Sequence, residues 1–310
     1  MQKMPFVDDN LLLGECYVKR DYSQLREKIT GGGYDATEYL TDNGEVFGFH
    51  ITRNQNVSGV YGMDCYVVKF IFSGASQLHD GRQEQVLCQL MSKVKAHIDA
   101  HKGYYNLRIP THIVDLIKAV NATFTNTIFC GGTVEELIHG NYVEEYNADN
   151  LTIKFADRMY LEKYKAELLG MTLASFQSYQ GQYHISGVTQ SKAGRIYENW
   201  IMETMSALNH ERVVVAVKDD APMGFVTIKE SKSAVEGVLS AVDPAKRKSG
   251  AYKAMIAYLI NYAAQKDKSF VSSTQFDNFI VQGVWSSLGL RPFYSIYNIH
   301  IDNSTTNEMH

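Results

Sequence analysis

Hydrophobic and polar positions follow a helical period in the last third of the chain. Positions spaced i, i+3, i+4, i+7, i+8 and i+11 predict a helix that packs on one face. These positions are Tyr252, Met255, Ile256, Leu259, Ile260 and Ala263. The apolar run from Val235 to Val242 predicts a strand just before this helix. The pattern therefore predicts a strand, a short turn and a helix, in that order.

Further strands and helices flank this unit. The β-branched runs Arg212–Val217 and Gly224–Ile228 surround a polar turn with a proline, which predicts a hairpin. Downstream, a strand, a helix that stops at Gly289 and a final strand are predicted. Their ranges are Ser269–Thr274, Asn278–Leu288 and Phe293–Ile301.

The N-terminal half has a similar order of elements. Its predicted ranges are a strand at Asp64–Phe72, a helix at Gln83–His101, a strand at Tyr104–Ile109, a helix at Ile113–Ala122 and a strand that starts at Thr127–Cys130. An overlay of Tyr105–Phe124 on Val271–Leu290 places helix on helix and strand on strand. We therefore expect the first half to be a diverged copy of the second, with an unrelated α/β domain as the alternative.

The turn between the Val235–Val242 strand and its helix is basic. It reads Ala241-Val-Asp-Pro-Ala-Lys-Arg-Lys-Ser-Gly-Ala-Tyr-Lys253. Backbone N–H groups at a helix start have no intrahelical partner, and the helix dipole adds positive charge there. Such a turn suits a diphosphate, although a generic strand-turn-helix remains the alternative.

The same turn resembles the acyl-CoA pyrophosphate loop of the GNAT acyltransferase superfamily. That loop has Arg or Gln, two residues, Gly, one residue, then Gly or Ala. Arg247 and Gly250 match it, whereas Tyr252 departs at the last position. The superfamily resemblance covers roughly residues 150 to 301. Within it, Thr274–Asn278, Trp285–Leu290 and Ser295–His300 look like the dTDP-fucosamine and other amino-sugar acetyltransferases.

This resemblance implies an α/β (α+β) fold with a mixed, mostly antiparallel central sheet flanked by helices. We expect a GNAT domain at 149–310 and a degenerate GNAT-like or accessory domain at 1–148. The boundary falls in the polar stretch His139–Asn150. In the overlay, Leu78–Arg82 stands where the basic loop should be, with fewer cations, and His112 stands opposite Asn278. The first half is therefore predicted to have lost cofactor binding and to shape the acceptor cleft or brace the active domain.

The resemblance also implies which residues hold the acyl-CoA. Backbone groups before the turn would pair with the pantetheine arm much as an added strand would. Asn278 would contact the arm, with a helix N-cap as the alternative or additional role. The expected cofactor-binding residues are Leu239, Ser240, Ala241, Val242, Arg247, Lys248, Ser249, Gly250, Ala251, Tyr252, Lys253, Asn278 and Trp285.

Acyl transfer to an amine needs a deprotonated nucleophile and a stabilised leaving thiolate. The resemblance assigns the general base to Glu236; an exposed strand-end carboxylate, with a water chain as base, is the alternative. Where the superfamily commonly has a Tyr that protonates the thiolate, this chain has Trp285, whose indole is no acid near neutral pH. Protonation would then fall to Tyr294, Tyr297, His300 or solvent.

Acceptor recognition is expected in the aromatic and polar segment Phe176–Ser191. Tyr179, Tyr183 and His184 could stack on a sugar or base and bond to hydroxyls or phosphate. A solvated loop with its aromatics packed on its own domain is the alternative. The next predicted helix has an apolar stripe that indicates a side packed in the core and not a binding site, formed by Tyr197, Ile201 and Met205.

Composition sets limits on the partners. A chain of 310 residues suits two domains of about 150, and a net charge of −4 argues against nucleic acid. No run of about 18 apolar residues occurs, and Met1–Asp9 lacks an apolar core of the length found in signal peptides, so we expect a cytoplasmic protein without a membrane partner. The 4 cysteines have no metal-ligand spacing, so we expect reduced thiols and no metal. With 20 Tyr and 14 Phe, a homodimer is possible.

The function expected from the sequence is N-acyl transfer from acetyl-CoA or another acyl-CoA. The acceptor would be a small amine, either an amino sugar or a nucleotide amino sugar. Transfer to an amino acid, polyamine or protein N-terminus is the alternative within enzymes. A non-catalytic acyl-CoA binding module is the alternative outside them.

Overall fold

The computed structural model describes residues 11–13, 35–42, 45–73, 82–144, 151–176, 181, 183, 190–206 and 212–304. The described residues form two compact units. The N-terminal unit contains those up to Thr133 together with those from Tyr294 onward, and the C-terminal unit runs from Val134 to Phe293. Most of the last strand therefore belongs to the N-terminal unit. The division into domains at 148 and 149 stays a prediction.

Element labels count the described residues in chain order. The first half contains β1 (Leu11–Leu13), β2 (Ala36–Asp42), β3 (Glu45–Arg53), α1 (Gln55–Tyr61), β4 (Cys65–Ser73), α2 (Arg82–Ala100), β5 (Gly103–Pro110), α3 (Val114–Thr123) and β6 (Thr127–His139). The second half contains β7 (Thr152–Phe155), α4 (Arg158–Lys163), α5 (Lys165–Phe176), α6 (Gln190–Ser206), β8 (Val213–Lys218), β9 (Ala221–Glu230), β10 (Ala234–Val242), α7 (Ala251–Gln265), β11 (Ser269–Gln275), α8 (Phe279–Ser287) and β12 (Arg291–Asn303).

In the N-terminal unit the strand order is β2-β3-β4-β5-β12, and β1 pairs with β4. Only β4 and β5 run parallel among these pairs. Alternate residues of each strand point to the face that α2 and α3 cover. On β4 these are Tyr66, Val68 and Phe70, which pack in one core with Leu87 and Leu90 of α2.

In the C-terminal unit the strand order is β6-β11-β10-β9-β8-β7. Neighbours from β7 to β10 are antiparallel, and β10 and β11 are parallel. One face packs on α7 and α8, with Val235 of β10 in that core. The other face packs on α4, α5 and α6, with Leu239 and Ala241 of the same strand in the second core. The helices therefore lie on both faces of this sheet.

The fold predicted from the sequence is confirmed. The sheets are mixed and mostly antiparallel, with helices packed on them. The two units also share one order: β4-α2-β5-α3-β6 corresponds to β10-α7-β11-α8-β12. β5 begins at Gly103 and β11 at Ser269, the same offset that places Tyr105 on Val271, and each runs parallel to the strand that precedes it in the order. This agrees with the predicted two-half arrangement.

Within the described residues, no helix combines the length and the apolar character needed to cross a membrane.

Candidate functional site

The pairing of β9 with β10 changes register in the middle of the strands. Gly237 lies opposite Ile228, but Leu239 lies opposite Thr227, so Val238 is an extra residue on β10. The Leu239 amide donates to the Thr227 hydroxyl oxygen at 3.1 Å instead of to the regular ladder. A β-bulge of this kind re-aims backbone groups and often lies beside a functional site.

Beyond the bulge, β10 leaves its parallel neighbour. The β10–β11 pairing runs from Ala234 with Ser269 to Gly237 with Ser272, and the register ends there. Further along, the Asp243 amide donates to Met223 on the β9 side. Because backbone groups alternate along a strand, the amides of Ser240 and Val242 face the opposite side, where β11 has diverged. This edge can accept an extended ligand tail.

The turn after β10 opens onto the start of α7. Asp243 caps a short 3-10 turn, Pro244–Lys246, by accepting from the Ala245 amide at 3.0 Å. Gly250 then takes a left-handed conformation, with φ of 81°, that glycine adopts without steric cost. No side chain caps α7 at this position. The Ala251 amide donates to the Ser249 hydroxyl at 3.4 Å, and the next amides of the first turn, those of Tyr252 and Lys253, are available to an anion.

Two cations flank this helix start. Arg247 and Lys248 are both exposed, and neither makes an ion pair within the described residues. Lys246 instead contacts Asp243 at 3.4 Å and donates to the Pro222 carbonyl at 3.1 Å, which braces the turn. The predicted diphosphate turn is thus open to solvent, with its charges available.

Tyr252 connects α7 to α8. The Trp285 indole Nε1 on α8 donates to the Tyr252 hydroxyl at 2.9 Å. Burial raises the pKa of the Tyr252 hydroxyl, against the lowering effects of Trp285 and of Ser240 on β10. Trp285 is only 1% exposed. Its indole packs in the α7–α8 core, and its predicted contact with the cofactor stays a prediction.

Asn278 lies at the N-cap position of α8, but its side chain makes no capping bond. It donates instead from Nδ2 to the Thr274 hydroxyl of β11 at 2.8 Å. The capping role expected from the sequence is therefore wrong for the side chain. The bond fixes Asn278 at the end of β11, and its contact with a cofactor stays a prediction.

Glu236 lies on the face of β10 opposite the Tyr252 hydroxyl. Val235 packs on the α7 side, so the next side chain points to the α5 and α6 side. Glu236 is half-buried and lies one residue before the last paired position, Gly237. Its predicted role as general base stays a prediction.

The structure also brings a carboxyl to this region that the sequence reasoning missed. Glu136 of β6 is 3% exposed, and its Oε2 has no hydrogen-bond partner within the described residues. Burial raises the pKa of this carboxyl above its ordinary range. Only long-range strand pairing places Glu136 here, since nothing near it in sequence marks it as functional.

Tyr294 and Tyr297 belong to the N-terminal unit. The Tyr294 ring meets His112 edge-on at 6.2 Å between centroids, and the Tyr297 ring meets Phe129 at 5.6 Å. His300 is also in this unit, 2.9 Å through Nδ1 from both the Tyr104 hydroxyl and the Cys130 sulfur. Proton transfer by these residues stays a prediction.

Two of the three predicted acceptor residues, Tyr179 and His184, lie outside the described residues. Tyr183 is described, and its ring packs edge-on against Tyr197 of α6 at 5.5 Å. This agrees with an aromatic that packs on its own domain.

No cluster of three His, Cys, Asp or Glu side chains that could hold a metal ion occurs in the described part of the chain.

Comparisons with known proteins bear on the fold. A family model described as "Acetyltransferase (GNAT) family" matches residues 176–290. A GCN5-related N-acetyltransferase from Sphaerobacter thermophilus is similar in structure, with a TM-score of 0.61 at 13% identity over 92% of this chain and 89% of that one. One from Kribbella flavida has a TM-score of 0.51 at 10% identity, over 90% and 93%. This is the GNAT fold.

A third structure, described as a GCN5-related glucosamine N-acetyltransferase region in a fungal multi-domain GH3 β-N-acetylglucosaminidase, has a TM-score of 0.54 at 10% identity. It aligns over 95% of this chain and 38% of that one. A search of curated proteins by sequence gave no match. Identities this low show a common fold alone. Since the GNAT likeness covers nearly the whole chain, it extends to both units.

Within the GNAT fold, the matched family region contains the bulged strand, the basic turn and α8. Two of its positions depart from the superfamily pattern, Tyr252 in the turn and Trp285 on α8. The structure shows that these two departures touch each other, through the bond from the indole to the hydroxyl.

Proposed function

We propose that the chain is an acyl-CoA-dependent N-acyltransferase, with the cofactor in the C-terminal unit. The single observation that carries this proposal is the combination of a bulged β10 that parts from β11 and an open basic helix start directly after it. The first offers backbone groups to a thioester tail, and the second offers amides and cations to a diphosphate.

The cofactor would lie along one continuous path. The diphosphate would bind the first-turn amides of α7, with Arg247 and Lys248 beside it. The pantetheine arm would follow the free edge of β10 at Ser240 and Val242. A backbone N–H at the bulge could then polarise the thioester carbonyl, where negative charge develops in the transition state.

The acceptor would reach the thioester from the other face of β10. Glu236 lies on that face and would remove the proton of the attacking amine, directly or through one water. We propose an amino sugar, free or nucleotide-linked, as the acceptor. The resemblance of the last strand and helix to amino-sugar acetyltransferases supports this choice.

A non-catalytic acyl-CoA binding module is the second candidate. The departure at Trp285 favours it, because the Tyr that commonly protonates the thiolate in the superfamily is absent at this position. This candidate predicts acyl-CoA binding without turnover.

The deciding experiment measures thiol release from acetyl-CoA with glucosamine, a nucleotide amino sugar, spermidine, an amino acid and a dipeptide as acceptors. We expect release with an amino sugar, and an approximately 10²-fold lower kcat in Glu236→Gln with unchanged CoA affinity by calorimetry. Glu162→Gln, at an exposed position of α4, is the control and should behave as wild type. Binding of acetyl-CoA without thiol release for any acceptor would favour the module.

A further inference from the structure

The buried carboxyl of Glu136 is energetically unfavourable where it lies. The side chain is 3% exposed, and its Oε2 has no hydrogen-bond partner in the described part of the chain. A buried carboxyl oxygen without a partner is unfavourable, so such groups are rare in folded proteins and call for a reason. Function is one such reason, since sites often keep buried groups with shifted proton affinity.

The direction of the Glu136 side chain follows from its neighbours on β6. Ile138, two residues on, packs in the core with Trp285 and α7. Residues i and i+2 of a strand share a face, so Glu136 points to the α7–α8 side of the sheet. Glu135 points to the opposite side.

Glu136 also lies near the edge of β10. Its carboxyl is close enough to Tyr252 to raise the pKa of that hydroxyl, although burial is the larger cause. Ser240, at the point where β10 has left β11, lowers the pKa of the same hydroxyl. Glu136 and Tyr252 therefore lie on the same side of the sheet, on which the thioester arm would run.

The side chains of Glu136 and Glu236 point to opposite faces of the sheet. Because the basic turn leads into α7, a cofactor arm would arrive from the α7–α8 side, where Glu136 points. Glu236 points to the other side, from which the acceptor would come. A pair of carboxyls in different environments is a common way to divide acid and base roles.

We propose that Glu136 is a catalytic residue, the acid that protonates the departing CoA thiolate. This rests on the proposed function. It would replace the hydroxyl that Trp285 cannot supply. Burial raises the pKa of the Glu136 carboxyl, which favours the neutral acid that this role requires.

Atoms and electrons balance in this step. The acceptor nitrogen forms a bond to the thioester carbon, and the C–S bond breaks with its electron pair on sulfur. The Glu136 O–H bond then breaks, its proton passes to sulfur, and a carboxylate remains. The surplus proton of the new amide leaves through Glu236 or water. Solvent reprotonates Glu136 after CoA has dissociated.

The test compares two acyl donors in wild type, Glu136→Gln and Glu135→Gln, with the best amine acceptor. The leaving group of acetyl-CoA is a basic alkyl thiolate, which needs a proton. The leaving group of S-acetyl-4-nitrothiophenol is a weakly basic aryl thiolate, which leaves without one. Glu135 is a matched control, since it is the next residue on β6 and is also 3% exposed. Thermal unfolding and CoA calorimetry check that each variant is folded and binds cofactor.

We expect Glu136→Gln to lower kcat/KM about 10²-fold with acetyl-CoA but less than about 3-fold with the aryl thioester. Any loss in Glu135→Gln should be equal for both donors. An equal loss for both donors in Glu136→Gln, or no loss, would overturn the assignment while leaving the proposed function intact. If wild type released thiol from neither donor, both the proposed function and this role would be rejected.

Discussion

The two units repeat one fold but differ where β4 and β10 meet their antiparallel neighbours. In the N-terminal unit, β3 and β4 stay in one register from Phe47 with Phe72 to Arg53 with Tyr66. In the C-terminal unit, the β9–β10 register shifts at Val238. Both β4 and β10 part from their parallel neighbours before they end, after Lys69 and after Gly237, so the bulge is the difference between the two strands.

The segments that follow these strands differ as well. Residues 243–250 contain three Lys or Arg, and residues 74–81 contain none. Bulge and basic turn therefore occur together in one unit. Since the two units share one order of elements, that order alone does not supply these two features.

The largest effect should come from charge inversion at the basic turn. Arg247→Glu places a negative charge beside the expected diphosphate and should weaken CoA binding about 10²-fold by calorimetry. Pantetheine has no diphosphate, so its affinity should change little. Arg82→Glu, at the first residue of α2, tests the other unit and should leave CoA binding as in wild type. Unchanged CoA affinity in Arg247→Glu would contradict the cofactor assignment.

A smaller effect on CoA binding is expected from a steric clash introduced beside β10, and the same kind of clash in the N-terminal unit serves as the comparison. A Cβ at Gly224 would lie 2.7 Å from the Ala241 carbonyl oxygen and 3.0 Å from a Val242 methyl, beside the end of β10. Gly224→Ala should lower the free energy of unfolding by about 1–3 kcal/mol and weaken CoA binding at least about tenfold.

The matched change in the N-terminal unit is Gly103→Ala. Its Cβ would lie 2.6 Å from the Asp64 carbonyl oxygen and 2.9 Å from the Tyr66 ring. We expect a similar loss of stability by chemical denaturation, with CoA affinity of the folded protein unchanged. A loss of CoA affinity in Gly103→Ala alone would move the cofactor to the N-terminal unit.

Removal of one hydroxyl should have a more modest effect. Tyr252→Phe leaves the buried Trp285 N–H without its acceptor. The change should cost about 1–3 kcal/mol in urea unfolding. Tyr258→Phe is the control on the same helix; its ring contacts Phe155 edge-on, and its loss of stability should be clearly smaller. Equal costs would show that the indole bond contributes nothing.

The smallest effect concerns two cysteines of the N-terminal unit. Burial raises the pKa of Cys130 to about 11, whereas Cys88 is exposed. Because the thiolate is the reactive form, iodoacetamide at pH 8 should label Cys130 at least about tenfold more slowly than Cys88. The Cys130 rate should rise with pH until about 11. Equal rates at pH 8, measured by mass spectrometry, would show that this part of the unit opens readily.

Local pattern was enough to predict α7, the strands before and after it, and the turn. The period of α7, the β-branched strands and the basic residues at 246–248 each depend on neighbours in sequence, so the sequence by itself determined them. The repeat of the element order in the two halves followed from the same local patterns. The sequence also showed that Tyr252 and Trp285 depart from the superfamily pattern, but it did not show that their side chains touch.

Tertiary structure alone decided the rest. The bulge at Val238 depends on register between β9 and β10, and the membership of β12 in the N-terminal unit depends on its pairing with β5. Glu136 reaches the edge of β10 only because β6 joins the sheet beside β11, a strand that comes far later in the chain. Such pairings are selected by the packing of distant side chains, and a local pattern does not encode which strands will meet.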